Sequence, residues 1–413
     1  MGARSGTEWT VYRPCYFPQG FCGADTGGMT MDREEIHRDI LKRLLSLRGD
    51  VVSKVRLVSR LYNDELLGGT STASTYFFIP DLHLVSREAD DTYRFTFHRL
   101  ESTRFINRSV LLDRVCSVML DFWNSLPPGR SLKTVQLGDF VDLWRENEYA
   151  QDDVTGLVAR ILDDYPEARK RLVRRGDQSL EPEIILGNHD MKMSASTELK
   201  RARRALPCRL GGQTPLLVTH GDLFDDLETV VENELQEWFV EHFGPVVPPT
   251  VYRLDRTTDR TNGQIGGSEG SAPLVIEHAD QSVGLPDWVN VWVTVSPCEE
   301  ETLKRSHKLL PRALEYAAGL RKGKQKYLKK MELSDAFPAL RTMVIGHSHF
   351  ARICVHRDAK KSENDLVLVD AGAWIEYARF GSEKVPSCQI GILCGGDMRI
   401  YQLDPHESLY QEG

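Results

Sequence analysis

Five short segments of the chain combine Asp, Asn and His in patterns able to hold metal ions. They are Asp81-Leu82-His83, Gly138-Asp139-Phe140-Val141-Asp142, Gly187-Asn188-His189-Asp190, His220-Gly221-Asp222 and Gly346-His347-Ser348-His349. Carboxylate oxygens and imidazole nitrogens suit Mn²⁺, Zn²⁺ or iron. Asp-x-His at a strand end can aim two donors at one ion if the chain turns after Asp81. His347 and His349 share one side of an extended segment. An Asp carboxylate can bridge two cations through its two oxygens, and an Asn amide oxygen is a neutral hard donor. Two Asp, one Asn and four His therefore suffice for two adjacent ions. Five of the twelve histidines of the chain fall in these segments, which favours a shared site over scattered core or surface positions.

Two cations roughly 3.5–4 Å apart make a clamp for in-line displacement at phosphorus. Two divalent ions outweigh the charges of Asp81 and Asp139, so the site is locally positive and attracts phosphate. Coordination also brings the pKa of bound water towards neutrality, giving a nucleophile at neutral pH.

The elements that position these groups are legible as a rhythm. The apolar runs at 75–80, 132–137, 182–186, 215–219 and 341–345 each stop directly at one of the five polar clusters. The spacing predicts helices over 32–47, 109–123 and 154–165, and strands again over 366–374 and 388–394. Strands alternating with helices indicate an α/β core, whose functional groups collect at the carboxyl ends of strands. Residues 1–30 are Gly-rich and aperiodic and read as a flexible N-terminal extension, with Met29 and Met31 as alternative starts. The 127 positions from His220 to His347 exceed a connection in a compact fold. They hold an amphipathic helix over 227–243, a loop over 244–273 and a basic helical stretch over 301–330. The division expected is therefore a first core part (31–222), an inserted cap (223–338) and a second core part (339–413).

Composition bounds the function. Among 413 residues, 41% are hydrophobic and 27% charged, which is ordinary globular chemistry. There are 52 Lys and Arg against 60 Asp and Glu, so the net charge is −8. That balance disfavours nucleic acid as a partner. No run of about 18 apolar residues predicts a transmembrane helix. The first residues lack an apolar signal region, and Gly6 breaks the myristoylation pattern. Eight scattered cysteines without C-x-x-C read as reduced thiols in a cytoplasmic protein.

Taken in order, the five segments resemble the calcineurin-like metallophosphoesterase superfamily, over residues 75–375. The resemblance implies a four-layer α/β/β/α sandwich with an inserted, largely helical cap. It implies one metal held by Asp81, His83, Asp139 and His349, and a second held by Asp139, Asn188, His220 and His347, with Asp139 bridging. Manganese is the first candidate, then iron or zinc. His189 would stabilise or protonate the leaving-group oxygen in place of binding metal, and Asp190 would hold its imidazole in the right tautomer. Asp142 and Asp222 are read as outer-sphere or helix-capping residues.

Within the superfamily, LGDFVDLW, THGDLFDD and the insertion resemble bacterial UDP-diacylglucosamine pyrophosphatases of lipid A synthesis. His189 stands where those enzymes carry Arg. Protein Ser/Thr phosphatases carry G-D-x-V-D-R-G and G-N-H-E, whereas Leu143 and Trp144 occupy the Arg-Gly places here. DNA-repair nucleases share D-x-H-L and G-N-H-D. The activity expected is hydrolysis of phosphoester or pyrophosphate bonds in a small or lipid-linked substrate, with peripheral membrane contact compatible. A nuclease, a protein phosphatase and a non-catalytic scaffold are the alternatives. A rival signal, G-x-S-x-G at 266–270, lacks the strand and helix of a nucleophile elbow. His278 reads as a loop histidine, and the basic run 321–330 as a solvated helix face.

Overall fold

Strands buried on both faces read as unbroken apolar runs, and the chain builds the middle of two sheets from such strands. The computed structural model describes residues 10–11, 32–67, 73–86, 104–106, 108–146, 153–195, 199, 202–210, 213–225, 250–254, 291–295, 299–358, 360–374, 376–378, 384–386, 388–406 and 410–412. In chain order, the strands of the two sheets are β1 Thr10–Val11, β2 Val52–Tyr62, β3 Ser74–Ile79, β4 Ser131–Gln136, β5 Glu183–Ile184, β6 Ala205–Leu210, β7 Gln213–Thr219, β8 Thr342–Ile345, β9 Arg352–His356, β10 Leu366–Asp370, β11 Gln389–Cys394 and β12 Asp397–Pro405. The helices used below are α1 Arg33–Leu45, α2 Arg108–Ser125, α3 Val154–Asp164, α4 Glu299–Arg321 and α5 Gln325–Lys330.

Both sheets are six-stranded and mixed. The first runs β2-β12-β11-β3-β4-β5, with β3, β4 and β5 parallel. The second runs β1-β9-β10-β8-β7-β6, with β7, β8 and β10 parallel. Side-chain alternation assigns each face. Tyr76 and Phe78 of β3 join Val344 of β8 and Val367 and Val369 of β10 in one core between the sheets. Phe77 and Ile79 turn the other way, into a core with α1, α2 and α3. Met343 and Ile345 of β8 pack with Leu309, Ala313, Tyr316 and Leu320 of α4 and with Leu328 of α5. The helices of the basic stretch, placed in the expected cap, thus cover the outer face of the second sheet.

Local rules explain the helix starts. Asp32 accepts from the Glu35 amide at 2.9 Å and donates its own amide to Glu35 at 3.3 Å, a capping box for α1. The expected strand over 182–186 shortens to Glu183–Ile184. The expected loop over 244–273 contains the strand Thr250–Leu254, antiparallel to Val291–Val295. The β-branched and aromatic residues of TVYRL and VWVTV account for that pairing. Of residues 1–30, Thr10–Val11 pair with β9. The rest of that extension lies outside the described residues, as do the expected helix 227–243, the 266–270 motif and His278. No helix among the described residues is long and apolar enough to cross a membrane. Cys116, Cys208, Cys354, Cys388 and Cys394 are free and buried.

Candidate metal centre

The parallel strands of both sheets end at one place. β3 leads to Asp81 and His83, β4 to Asp139, β5 to Asn188, β7 to His220, and β8 to His347 and His349. The two sheets are laced together there. The amide of Trp374, which follows β10, donates to the carbonyl of Asp81, which follows β3, at 2.7 Å. The amide of His347 donates to Asp81 Oδ2 at 2.8 Å.

Sharp turns point the side chains inwards. His83, Asp139, His347 and His349 all have φ between 46° and 60°. This left-handed region is costly for residues with a Cβ and persists where surrounding structure imposes it. Two glycines permit the close approach. A Cβ on Gly346 would stand 1.9 Å from Asp81 Oδ1, and one on Gly187 would stand 2.0 Å from Asp139 Oδ1.

Three histidines are held from outside so that their second nitrogen faces in. His83 Nδ1 donates to Asp142 Oδ2 at 3.1 Å, leaving Nε2 inward. His220 Nδ1 donates to the Leu137 carbonyl at 3.1 Å, again leaving Nε2. His347 Nε2 donates to Asp225, 2.9 Å from each oxygen, leaving Nδ1. Such outer partners set the tautomer of a metal-binding imidazole. The inward nitrogens crowd. His83 Nε2 is 3.1 Å from His349 Nε2, and His220 Nε2 is 3.1 Å from His347 Nδ1. Asn188 Oδ1 lies 3.1 Å from His220 Nε2.

Asp139 sits between the two groups. Its Oδ2 is 3.5 Å from His83 Nε2 and 3.3 Å from His220 Nε2. Its Oδ1 accepts the His189 amide at 3.0 Å. A bridge through both oxygens was expected, whereas Oδ2 faces both histidines and Oδ1 anchors the next turn.

The donors Asp81, His83, Asp139 and His349 lie within 4.8 Å of one another, as do those of Asp139, His220 and His347. Each group could hold a metal ion. Paired imidazole nitrogens at this separation need a proton or a cation between them. Asp81 Oδ1 is buried with no hydrogen-bond partner, as an oxygen reserved for a cation would be. All seven expected ligands are thus brought to one place.

Electrostatics divides the two carboxylates. Burial pushes Asp81 up to about 6, against the pull of His220. Burial would raise Asp139 as well, but His220, His189 and His83 outweigh it and hold its carboxyl well below the ordinary range. Asp142 is likewise lowered against its burial, chiefly by His189.

Asp190 does not hold the His189 ring. Its Oδ2 accepts the Phe140 amide and its Oδ1 the Gly187 amide, each at 2.7 Å. The ring is held by Asp142, whose Oδ1 accepts from His189 Nδ1 at 2.8 Å. The turn after Gly187 folds Asp190 back onto the backbone, beyond its neighbour's imidazole. Asp142 makes no side-chain capping bond to the turn it opens, so the helix-capping reading of it fails too. Asp222 pairs with Arg204 at 2.6 Å. Trp144 packs on His189, with ring centroids 4.1 Å apart.

No family model matches the chain, and no curated protein matches it.

Asp225 escaped the sequence reading. It follows His220 by five positions in HGDLFDD, and a short turn over Asp222–Phe224 brings it under His347. The only signal for it was chemical. A ligating histidine needs an acceptor for its outer N–H, and acids close in sequence to the motifs are the candidates.

Proposed function

We propose that this chain is a metal-dependent hydrolase of phosphoester or pyrophosphate bonds, built on the calcineurin-like metallophosphoesterase plan. The observation that carries the reading is the convergence of the inward nitrogens of His83 and His220 on Asp139 Oδ2, with His347 Nδ1 3.1 Å from that of His220. We read helices α1–α3, the two sheets and helices α4–α5 as the four-layer sandwich of that plan, and the part of 223–338 that precedes α4 as its inserted cap.

Asp81, His83, Asp139 and His349 would hold one ion, and Asp139, Asn188, His220 and His347 a second, with manganese first, then iron or zinc. The ions, when bound, supply Lewis-acid polarisation at phosphorus and an activated water. Everything else is the work of the chain. Asp142 accepts from Nδ1–H of His189 and stabilises its imidazolium form, whose Nε2–H would pass to the departing oxygen. Trp144 limits the tilt of that ring. The buried setting excludes bulk water from the carboxylates. The substrate is a small or lipid-linked phosphate compound, and the buried free thiols suit a cytoplasmic setting.

The test is to strip the full chain with chelator, restore Mn²⁺, and follow hydrolysis of aryl phosphate mono- and diesters and of a nucleotide-sugar diphosphate. Activity should vanish and return. Unchanged turnover in Asp139→Asn and His189→Ala variants would overturn the proposal. Metal binding without turnover on any substrate would make the chain a scaffold.

A further inference from the structure

Among the described residues, Arg204, Arg352 and Arg399 are the buried arginines. Arg204 donates to the Leu186 carbonyl and to Asp222. Arg399 donates to Asp397 and Glu34. Arg352 is 4% exposed, yet Nε, Nη1 and Nη2 all lack a hydrogen-bond partner. A buried guanidinium carries a permanent charge and a fork of donors, and leaving all of them unpaired is strongly unfavourable. Its two equivalents elsewhere in the fold show the ordinary solution.

Its place in the fold narrows the missing partner. Arg352 opens β9 three residues after His349, so chain geometry keeps the two Cα atoms within about 11 Å. Ile353 and Val355 enter the core between the sheets, and Cys354 the core under α4 and α5. Alternation therefore puts Arg352 on the Cys354 face. Its register partner is Asp370, at the carboxyl end of β10. Asp370 accepts from the Ser348 hydroxyl and from the Gly372 amide, at 3.3 Å for the latter. Ser348 stands between His347 and His349. Arg352 is thus one strand pair from the turn that carries His347 and His349, and the neighbouring Asp370 carboxylate, which feels its charge, is engaged by the Ser348 hydroxyl and the Gly372 amide.

A planar fork of N–H donors matches the geometry of a phosphate oxyanion. We infer that Arg352 is the anchor of a phosphate-class anion site beside the metal centre, distinct from the seven metal ligands. This deepens the reading of the centre as a phosphoester hydrolase and rests on it. The anion is either a second phosphate of the substrate or free phosphate, since both present the same oxygens.

The experiment uses the full chain after exhaustive chelation, so no metal and no turnover enter the result. Thermal unfolding is followed against sodium pyrophosphate and sodium orthophosphate, at ionic strength matched with chloride. The wild-type midpoint should rise with phosphate-class anion beyond the chloride control. Arg352→Met should need at least tenfold more anion for the same rise, and Arg352→Lys several-fold more. Asp370→Asn should keep the response. A wild-type chain that ignores both anions overturns the inference, as does an Arg352→Met or Arg352→Lys variant that responds like wild type. Loss of the response in Asp370→Asn would make Asp370 the partner of the guanidinium and also end it. If Arg352→Met does not fold, the Lys variant decides. A rise confined to pyrophosphate identifies a second substrate phosphate, and an equal rise with orthophosphate identifies a lone phosphate. Failure of the chelator and Mn²⁺ experiment on turnover would leave this binding result standing, so the two readings fail separately.

Discussion

The carboxylate of Asp142 stands 2.8 Å from Nδ1 of His189, and its other oxygen takes the Nδ1–H of His83 at 3.1 Å. One buried acid therefore sets the tautomer of an expected metal ligand and of the expected proton donor. Asp142→Asn keeps the volume but replaces an acceptor with an amide. It should lower both metal affinity and turnover by about 10- to 100-fold, the range typical of outer partners of ligating histidines. Metal content after dialysis and kcat with saturating Mn²⁺ check the two effects. A variant that matches wild type in both would remove Asp142 from the centre.

Asp190 should behave differently. Its oxygens satisfy two buried backbone amides, of Phe140 and Gly187. Asp190→Ala orphans both donors, and at roughly 1–3 kcal/mol per unsatisfied group the loss in stability should reach about 3 kcal/mol. Urea unfolding measures it. Loss of turnover at full stability would restore to Asp190 the catalytic role that its geometry denies.

Asp225→Asn tests the acid under His347. The 2.9 Å contacts to Nε2 fix Nδ1 as the inward nitrogen. The variant should bind metal about tenfold or more weakly while the apo fold stays intact. Titration of apo protein with Mn²⁺ reads this directly, and an unchanged affinity would exclude the role.

Gly346→Ala sets a Cβ against Asp81 Oδ1 at 1.9 Å. Neither the strand end nor the buried carboxylate has room to yield. Overpacking of this kind should cost about 2 kcal/mol and displace Asp81 from the donor set. Unfolding midpoint and metal stoichiometry should fall together. A fall in the midpoint alone would show that Asp81 is held by something other than this turn.

His37 supplies a pH signature away from the centre. It lies on the buried face of α1, with Nε2 3.1 Å from the Asp397 carbonyl and Nδ1 without a hydrogen-bond partner. Burial, with Arg399 nearby, lowers its pKa from 6.5 to about 4. Between those values the unfolded chain binds a proton that the folded chain refuses. Stability is therefore fully present above pH 6.5 and is lost as pH falls towards 4, at up to about 1.4 kcal/mol per pH unit from this group. Urea titrations across that interval should show a shallower slope for His37→Gln. An identical slope would assign the acid sensitivity elsewhere.

The strands that carry the centre were legible because they are central. β3 and β8, and the last three residues of β4 and last five of β7, are buried, so their apolar runs stand out, and each stops where its polar cluster begins. β2 was not legible. VSKVRLVSRLY carries Lys54, Arg56 and Arg60 on an edge strand, where charge meets solvent or partners such as Asp404 and Asp397. β12 was missed for a related reason, since Arg399 interrupts its apolar pattern while being buried in the fold, and β9 because only three apolar residues separate Arg352 from His356. The pairing of Thr250–Leu254 with Val291–Val295 was hidden because its register depends on a partner some forty positions away.

Residue type and order alone determined the donor set. Seven side chains of suitable chemistry follow apolar runs in a fixed series, and covalent connectivity puts each at a strand end. Tertiary structure alone decided which atom of each side chain faces which neighbour. Asp142 rather than Asp190 orients His189, Asp225 turns His347, and one oxygen of Asp139 rather than two meets both histidine groups. These choices depend on φ values near +50° and on contacts between two sheets, and no spacing along a single chain encodes them.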